Sequence, residues 1–263
     1  LTNPALEAMS SEMLLAKIGE LMGKQHKVLY YGPQSEKEVT EALAMHHKTS
    51  AELQPLDKKH LQLLPTDESK VLMAQYDAKQ LYYLQYANLG KQFDVAADPE
   101  ITLYNEYFGG GMNSVVFQEM RESRSLAYMA FTEWINPSYL DDNYLFAAII
   151  ATQNDKMAQA IDAFDEIINN MPESETAFKI AKEGLISRLR TDRTVKEQVL
   201  WSFIGLRNLG LEEDRDKQIF EKVQAMTLAD VKAAQEKWVK NRKYVYGILG
   251  DIQDLDLNYL KTR

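Results

Sequence analysis

Arg121 and Tyr128 are the two side chains in this sequence whose types and spacing suit chemistry. Arg121 falls where a helical pattern runs out, at Arg121 to Ser123, and Tyr128 lies near the start of a strand-like run, Leu126 to Trp134. A short turn between them lets a permanently charged guanidinium and a phenolic O–H point into the same space. Donors placed in this way stabilise negative charge developing on a carbonyl oxygen under attack, each by about 3–4 kcal/mol of barrier. A plainer reading uses the same residues: Arg121 pairs with Glu119 or Glu122 at the surface, and Tyr128 is an ordinary strand aromatic. Spacing alone leaves both open. Arg124, four residues before Tyr128, reads as a salt-bridge or turn residue.

The stretch around the pair is distinctive. Gly109, Gly110 and Gly111 close one helical pattern, and Asn113 or Ser114 can cap the next, whose Val115, Val116, Phe117 and Met120 share a buried face. The glycines do not form a phosphate loop, because neither G-x-x-x-x-G-K-[ST] nor a post-strand G-x-G-x-x-G is present. They are expected to permit a tight turn with positive φ. The run from Tyr107 to Phe131, with six residues between Arg121 and Tyr128 and then Met129, Ala130 and Phe131, resembles the second-half signature of the insulinase/pitrilysin family of zinc metallopeptidases. The resemblance implies a clamshell whose N-terminal half carries an inverted zinc motif, H-x-x-E-H, and whose C-terminal half lacks it. Arg121 and Tyr128 would then bind substrate and polarise the scissile carbonyl of an enclosed, unfolded peptide. Gly109 to Gly111 would border the substrate chamber. Zinc and the general base would come from an N-terminal half outside this chain, so this chain is not expected to be catalytic by itself.

The histidines agree with that division. His26, His46, His47 and His60 are the complete set, and neither H-x-x-E-H nor H-E-x-x-H occurs. Adjacent His46 and His47 would diverge by about 100° on a helix, a poor geometry for sharing one ion. No metal site and no cofactor are therefore expected in this chain. Without any cysteine, disulfides, thiol nucleophiles and thiolate metal sites are excluded. A net charge of −9 and the lack of an Arg/Lys stripe argue against nucleic-acid binding. No apolar run reaches the length of a membrane span. The chain begins at Leu1, without a signal-like start, and is expected to be a piece of a longer protein, so its compartment is not legible.

Around these residues the pattern predicts a helix over 5–22, a strand from His26 to Tyr31, and a second helix over Glu36 to Met45 with Ser35 as its N-cap. The end of the chain has the same grammar: a helix over Val231 to Val239, a strand over Tyr244 to Leu249, and a final helix near Leu255 to Leu260. This repetition predicts that residues 1–47 are the tail of one α/β unit, 48–68 a linker with Pro55 and Pro65, and 69–263 a complete pitrilysin-like sister unit. Within it, β runs Val71 to Tyr76 and Leu81 to Ala87 come first, Asp98-Pro99 starts a helix, and Leu126 to Trp134 with Tyr144 to Thr152 form a hairpin. Long helices follow over about 154–170, 174–190, 195–209 and 213–225. Strands joined by hairpins and then helices define an α+β fold, a mostly antiparallel sheet packed on several long helices.

Alternation on the Tyr128 strand assigns Ala130, Thr132 and Trp134 to a chamber wall and Met129 and Phe131 to packing against helices. Trp201 with Phe203, Trp238 with Val239, and the methionines read as core. Two rivals to the peptidase reading stand: an inactive scaffold subunit of the same family, as such relatives are in respiratory complexes, and a module that pairs extended peptides with its sheet edge.

Overall fold

The computed structural model describes residues 2–56, 63–251, 253 and 259, which divide into two units, one within residues 1–62 with Thr194–Ser202 and the other Leu63–Arg193 with Phe203–Arg263. The smaller unit opens with α1 (Asn3–Glu7) and α2 (Ser11–Leu21) rather than one continuous helix. Ser10 makes the break, because its side chain caps α2 by accepting the Met13 N–H. α3 (Glu36–His46) starts with a reciprocal capping box between Ser35 and Glu38, as the sequence predicts. The strand expected over His26 to Tyr31 does not form. Among the described residues of this unit the pairing is limited to an isolated parallel bridge, Lys24 to Gln54, because no described strand offers a ladder. None of these three helices buries a residue. The expected linker over 48–68 falls partly outside the described residues, at 57–62.

In the larger unit the chain runs through β1 (Lys70–Gln75), β2 (Leu81–Gln92), α4 (Asp98–Tyr104), a π turn (Asn105–Gly109), α5 (Val115–Phe117) and a second π turn (Gln118–Ser123). The hairpin β3 (Met129–Ile135) and β4 (Asn143–Thr152) follows, and after it the helices α6 (Met157–Asn169), α7 (Glu175–Thr191), α8 (Gln198–Asn208), α9 (Arg215–Val223) and α10 (Leu228–Trp238). β5 (Val245–Gly250) comes last; α8 begins within the stretch assigned to the smaller unit. The expected helix near Leu255 to Leu260 lies, apart from Tyr259, outside the described residues.

The sheet order is β1-β5-β2-β4-β3, antiparallel except where β1 meets β5. β1 and β2 are consecutive but not neighbours, since β5 inserts between them. Two glycines fit it there: a Cβ at Gly250 would stand 3.1 Å from Leu81 Cα, and one at Gly247 3.3 Å from Leu84 Cβ.

Strict alternation aims Leu81, Tyr83 and Ala87 of β2, Tyr144, Phe146, Ala148 and Ile150 of β4, and Ala130 and Trp134 of β3 into one core. Helices cover that face, with Ile161, Phe164 and Ile168 of α6 and Leu185 of α7 among the buried residues. Trp134 meets Tyr104 edge-on at 5.8 Å and packs against Trp238 at 6.1 Å. Trp201 is 66% exposed and Phe203 is exposed as well, so the expected burial of this helix face is overturned. Met120, Met157 and Met171 are core, whereas Met13, Met45, Met73 and Met112 are exposed.

Candidate functional site

The corner that carries Arg121 and Tyr128 is built outward from one buried side chain. Ser114 caps α5 by accepting the Phe117 N–H at 3.4 Å, and the chain continues into the π turn that carries Met120, fully buried, and Arg121. The Met120 carbonyl accepts the N–H groups of Leu126 at 2.9 Å and Ala127 at 3.2 Å. This closes a tight turn through Ser125, which has a left-handed φ of 52°. Thr152 then fastens the exit of the turn by donating its hydroxyl to Leu126 O at 2.6 Å.

Tyr128 enters the sheet with a defect. Its N–H donates to Ala151 O at 2.8 Å, yet the ladder pairs Ala151 with Met129. Two residues thus oppose one, a bulge-like arrangement that breaks the alternation of the strand. Tyr128 is therefore 67% exposed, while Ala130, Thr132 and Trp134, of the same parity, are buried. The expected assignment of faces is reversed. The Ala130, Thr132 and Trp134 side packs into the core, and Met129 and Phe131 are partly exposed on the other side. Bulk explains the reversal: Trp134 lies among Tyr104, Tyr144 and Trp238.

The fold does bring the predicted pair together. The Arg121 guanidinium carbon lies 5.4 Å from the Tyr128 ring centroid and 5.1 Å from that of Phe117. Each contact is in cation–π range, and the two rings limit where the guanidinium can swing. Arg121 Nε stands 3.6 Å from Glu122 Oε1, a loose contact between half-exposed groups worth about 0–1 kcal/mol. Glu119 is instead engaged by Arg124, which also donates to Glu166 at 2.8 Å. That hydrogen bond leads the causes holding the Arg124 guanidinium above its ordinary range, so Arg124 is the structural cation of the corner. The hydroxyl of Tyr128 has no hydrogen bond among the described residues. The arrangement places a guanidinium and an exposed phenol on one corner of the unit.

The triple glycine contributes to the wall behind this corner. A Cβ at Gly109 would stand 2.1 Å from Thr132 O, so only glycine lets the π turn lie against β3. Asn105, in the same turn, donates to Trp134 O at 2.9 Å and accepts the Trp134 N–H at 2.8 Å. Together they cover part of the free edge of β3. The expected positive φ is not observed. Gly110 has φ −91°, and Gly90 and Gly210 are the glycines in the left-handed region. Close approach accounts for Gly109 and Gly110, the latter 2.9 Å from Asn105 O by the same measure; Gly111 has open space around it.

Two features escaped the sequence. Asp98, which reads as a helix starter, is 1% exposed, and Arg215 Nε approaches it to 2.9 Å without hydrogen-bond alignment to either oxygen. Burial raises its carboxyl to about 6, against the opposing pull of Arg215. His26 and His47 meet side chain to side chain. Among the described residues, no group of three or more His, Cys, Asp or Glu is placed to hold a metal ion. No described helix is long and apolar enough to cross a membrane.

Solved structures share this architecture. A peptidase M16 inactive domain from Pseudomonas fluorescens is 20% identical with a TM-score of 0.59, matching 82% of this chain and 51% of that one. A conserved protein from Enterococcus faecalis V583 is 15% identical with a TM-score of 0.71, over 95% of this chain and 57% of that one. A protease from Helicobacter pylori is 16% identical with a TM-score of 0.58, over 83% and 54%. At these identities the likeness is one of fold, and the chain spans about half the length of the structures it matches. No curated protein matches the chain. The sequence itself goes further than the fold: residues 25–185, more than half of the chain, match the family described as Peptidase M16 inactive domain, and the protein belongs to that family.

Proposed function

We propose that this chain is the substrate-binding, non-zinc half of a zinc-dependent peptidase of the insulinase/pitrilysin type. The observation that carries the reading is the proximity of Arg121 and Tyr128, with the guanidinium in contact with the Tyr128 and Phe117 rings and Tyr128 exposed. In this reading residues 1–47 are the tail of a preceding α/β unit. A zinc-binding N-terminal half, on the same or a separate polypeptide, supplies metal and general base. Arg121 and Tyr128 bind the peptide and donate to its scissile carbonyl oxygen. Charge grows on that oxygen as the carbonyl carbon becomes tetrahedral, and two fixed donors lower the barrier more than they stabilise the ground state. Gly109, Gly110 and Gly111 border the chamber that holds the peptide.

The test is peptide hydrolysis by the chain combined with its zinc-binding half, comparing wild type with Arg121→Ala and Tyr128→Phe. Each substitution should lower kcat/KM by about tenfold or more while circular dichroism stays unchanged. Cleavage by both variants at the wild-type rate would sink the reading.

One observation favours a second reading, a proteolytically inactive scaffold subunit. Arg121 already has a carboxylate neighbour in Glu122, as a purely structural surface arginine would. Absence of zinc-dependent cleavage in every combination of halves would promote it. A module that takes up extended peptides at the sheet edge is less well supported at β3, where Asn105 and Gly109 cover Trp134 and Thr132.

A further inference from the structure

His26 and His47 are 21 residues apart in sequence, yet their Nε2 atoms stand 2.7 Å from each other. The rings meet edge to face, with centroids 4.9 Å apart and planes at 86°. His26 Nδ1 lies 2.7 Å from the Lys24 carbonyl, which can only accept, so Nδ1 carries a proton. In the neutral pair His26 Nε2 is therefore the bare nitrogen, and His47 Nε2–H donates to it. A carbonyl or carboxylate on the far nitrogen is the usual way a protein orients a metal-binding imidazole. Both rings are also held from behind. His47 closes α3 by donating its N–H to Leu43 O at 2.8 Å. The His26 segment is pinned by Gln25 N–H to Gln54 O at 2.7 Å and Gln54 N–H to Gly23 O at 2.9 Å.

We propose that His26 and His47 form a two-imidazole site for one divalent transition-metal ion of the zinc, nickel or copper type, the ions that imidazole nitrogen suits. Metal–nitrogen bonds of about 2.0–2.1 Å at a tetrahedral angle set two ligand nitrogens roughly 3.3 Å apart. The pair therefore opens by about half an ångström, and water fills the remaining positions. The proton now between the rings moves to His47 Nδ1 through solvent, so the neutral pair binds metal without net proton release. Around the pair, Lys24 Nζ turns to Gln54 Oε1 and Lys48 Nζ to the Ala44 carbonyl. Glu38 is held in the capping box of α3, Lys27 and Glu52 form no ion pair among the described residues, and His46 lines the neighbouring groove with His47.

The experiment titrates the full chain with Zn2+ and separately with Ni2+ by calorimetry at pH 7.5, for wild type, His26→Ala, His47→Ala and His46→Ala. One site is expected, weakened by at least about tenfold in His26→Ala and in His47→Ala but not in His46→Ala. Nitrogen chemical shifts of the wild-type imidazoles give a second readout independent of any variant, and the two Nε2 resonances should move together on addition of Zn2+. Equal binding by all four proteins, equal losses in all three variants, or movement of one Nε2 alone would overturn the site and leave scattered surface histidines.

Discussion

α2 and α6 follow the same rule of sequence and reach opposite ends. α2 spaces Met13, Leu14, Ile18 and Leu21 along one helical side, and α6 spaces Met157, Ile161, Phe164 and Ile168 in the same manner. Every one of the α6 residues is buried, whereas Ile18 is 59% exposed and none of α2 is buried. Periodicity decides which side of a helix is apolar. A packed surface opposite that side decides whether the hydrophobic effect is realised, since stabilisation scales with area removed from water.

The sharpest way to break this contrast is truncation. Phe164→Ala should lower unfolding free energy by about 3–5 kcal/mol, read as a shift of the urea midpoint at unchanged slope. Ile18→Ala should change it by about 0.5 kcal/mol or less. Equal losses at the two positions would mean that α2 is packed as firmly as α6.

A buried charge gives the next largest effect. The Asp98 carboxyl, raised to about 6 by burial, holds its proton more tightly in the folded chain than the ordinary carboxyl value of 3.8 gives for the unfolded one. Its contribution is full below about pH 4 and lost as pH rises through 6, so stability from this group falls with rising pH across that window. The difference corresponds to about 3 kcal/mol. Asp216 is raised by burial too and adds to the same slope. Subtracting the stability profile of Asp98→Asn from that of wild type should isolate a downward step between pH 4 and 6, and a flat difference would count against the burial argument.

Smaller still is the effect of close backbone approach. Gly109→Ala forces a methyl group toward the Thr132 carbonyl, which is backbone and cannot turn aside. A loss of about 1–3 kcal/mol is expected, against about 0.5 kcal/mol or less for Gly111→Ala, where nothing stands within 4 Å. Thermal unfolding of the two variants makes the comparison. At the far end, Arg121→Ala should move stability by about 0.5–1 kcal/mol or less, because its contacts are half exposed. A large loss there would mark Arg121 as structural and weaken its assignment to substrate.

Much of the fold was legible because local signals agree with it. Ser35 with Glu38 announces α3, Asp98-Pro99 starts α4, and the alternation of β2 and β4 marks sheet strands. The misreadings have physical causes. His26 to Tyr31 has strand composition, but a strand exists only with a ladder partner. Trp201 and Phe203 look like core by type, and type does not guarantee cover. Alternation put Tyr128 on the face of Ala130, Thr132 and Trp134, because the offset by which Tyr128 and Met129 both oppose Ala151 is invisible to a count of two.

By itself the sequence determined the α+β class, the separation of Arg121 from Tyr128 by one helix end and one turn, and the absence of thiol chemistry. These follow from bonds between near neighbours and from residue type. Tertiary structure alone decided that β5 lies between β1 and β2, that Asp98 is buried against Arg215, and that His26 meets His47. Each depends on segments far apart in the chain sharing one surface, and loop closure leaves no periodic trace in the residues it joins.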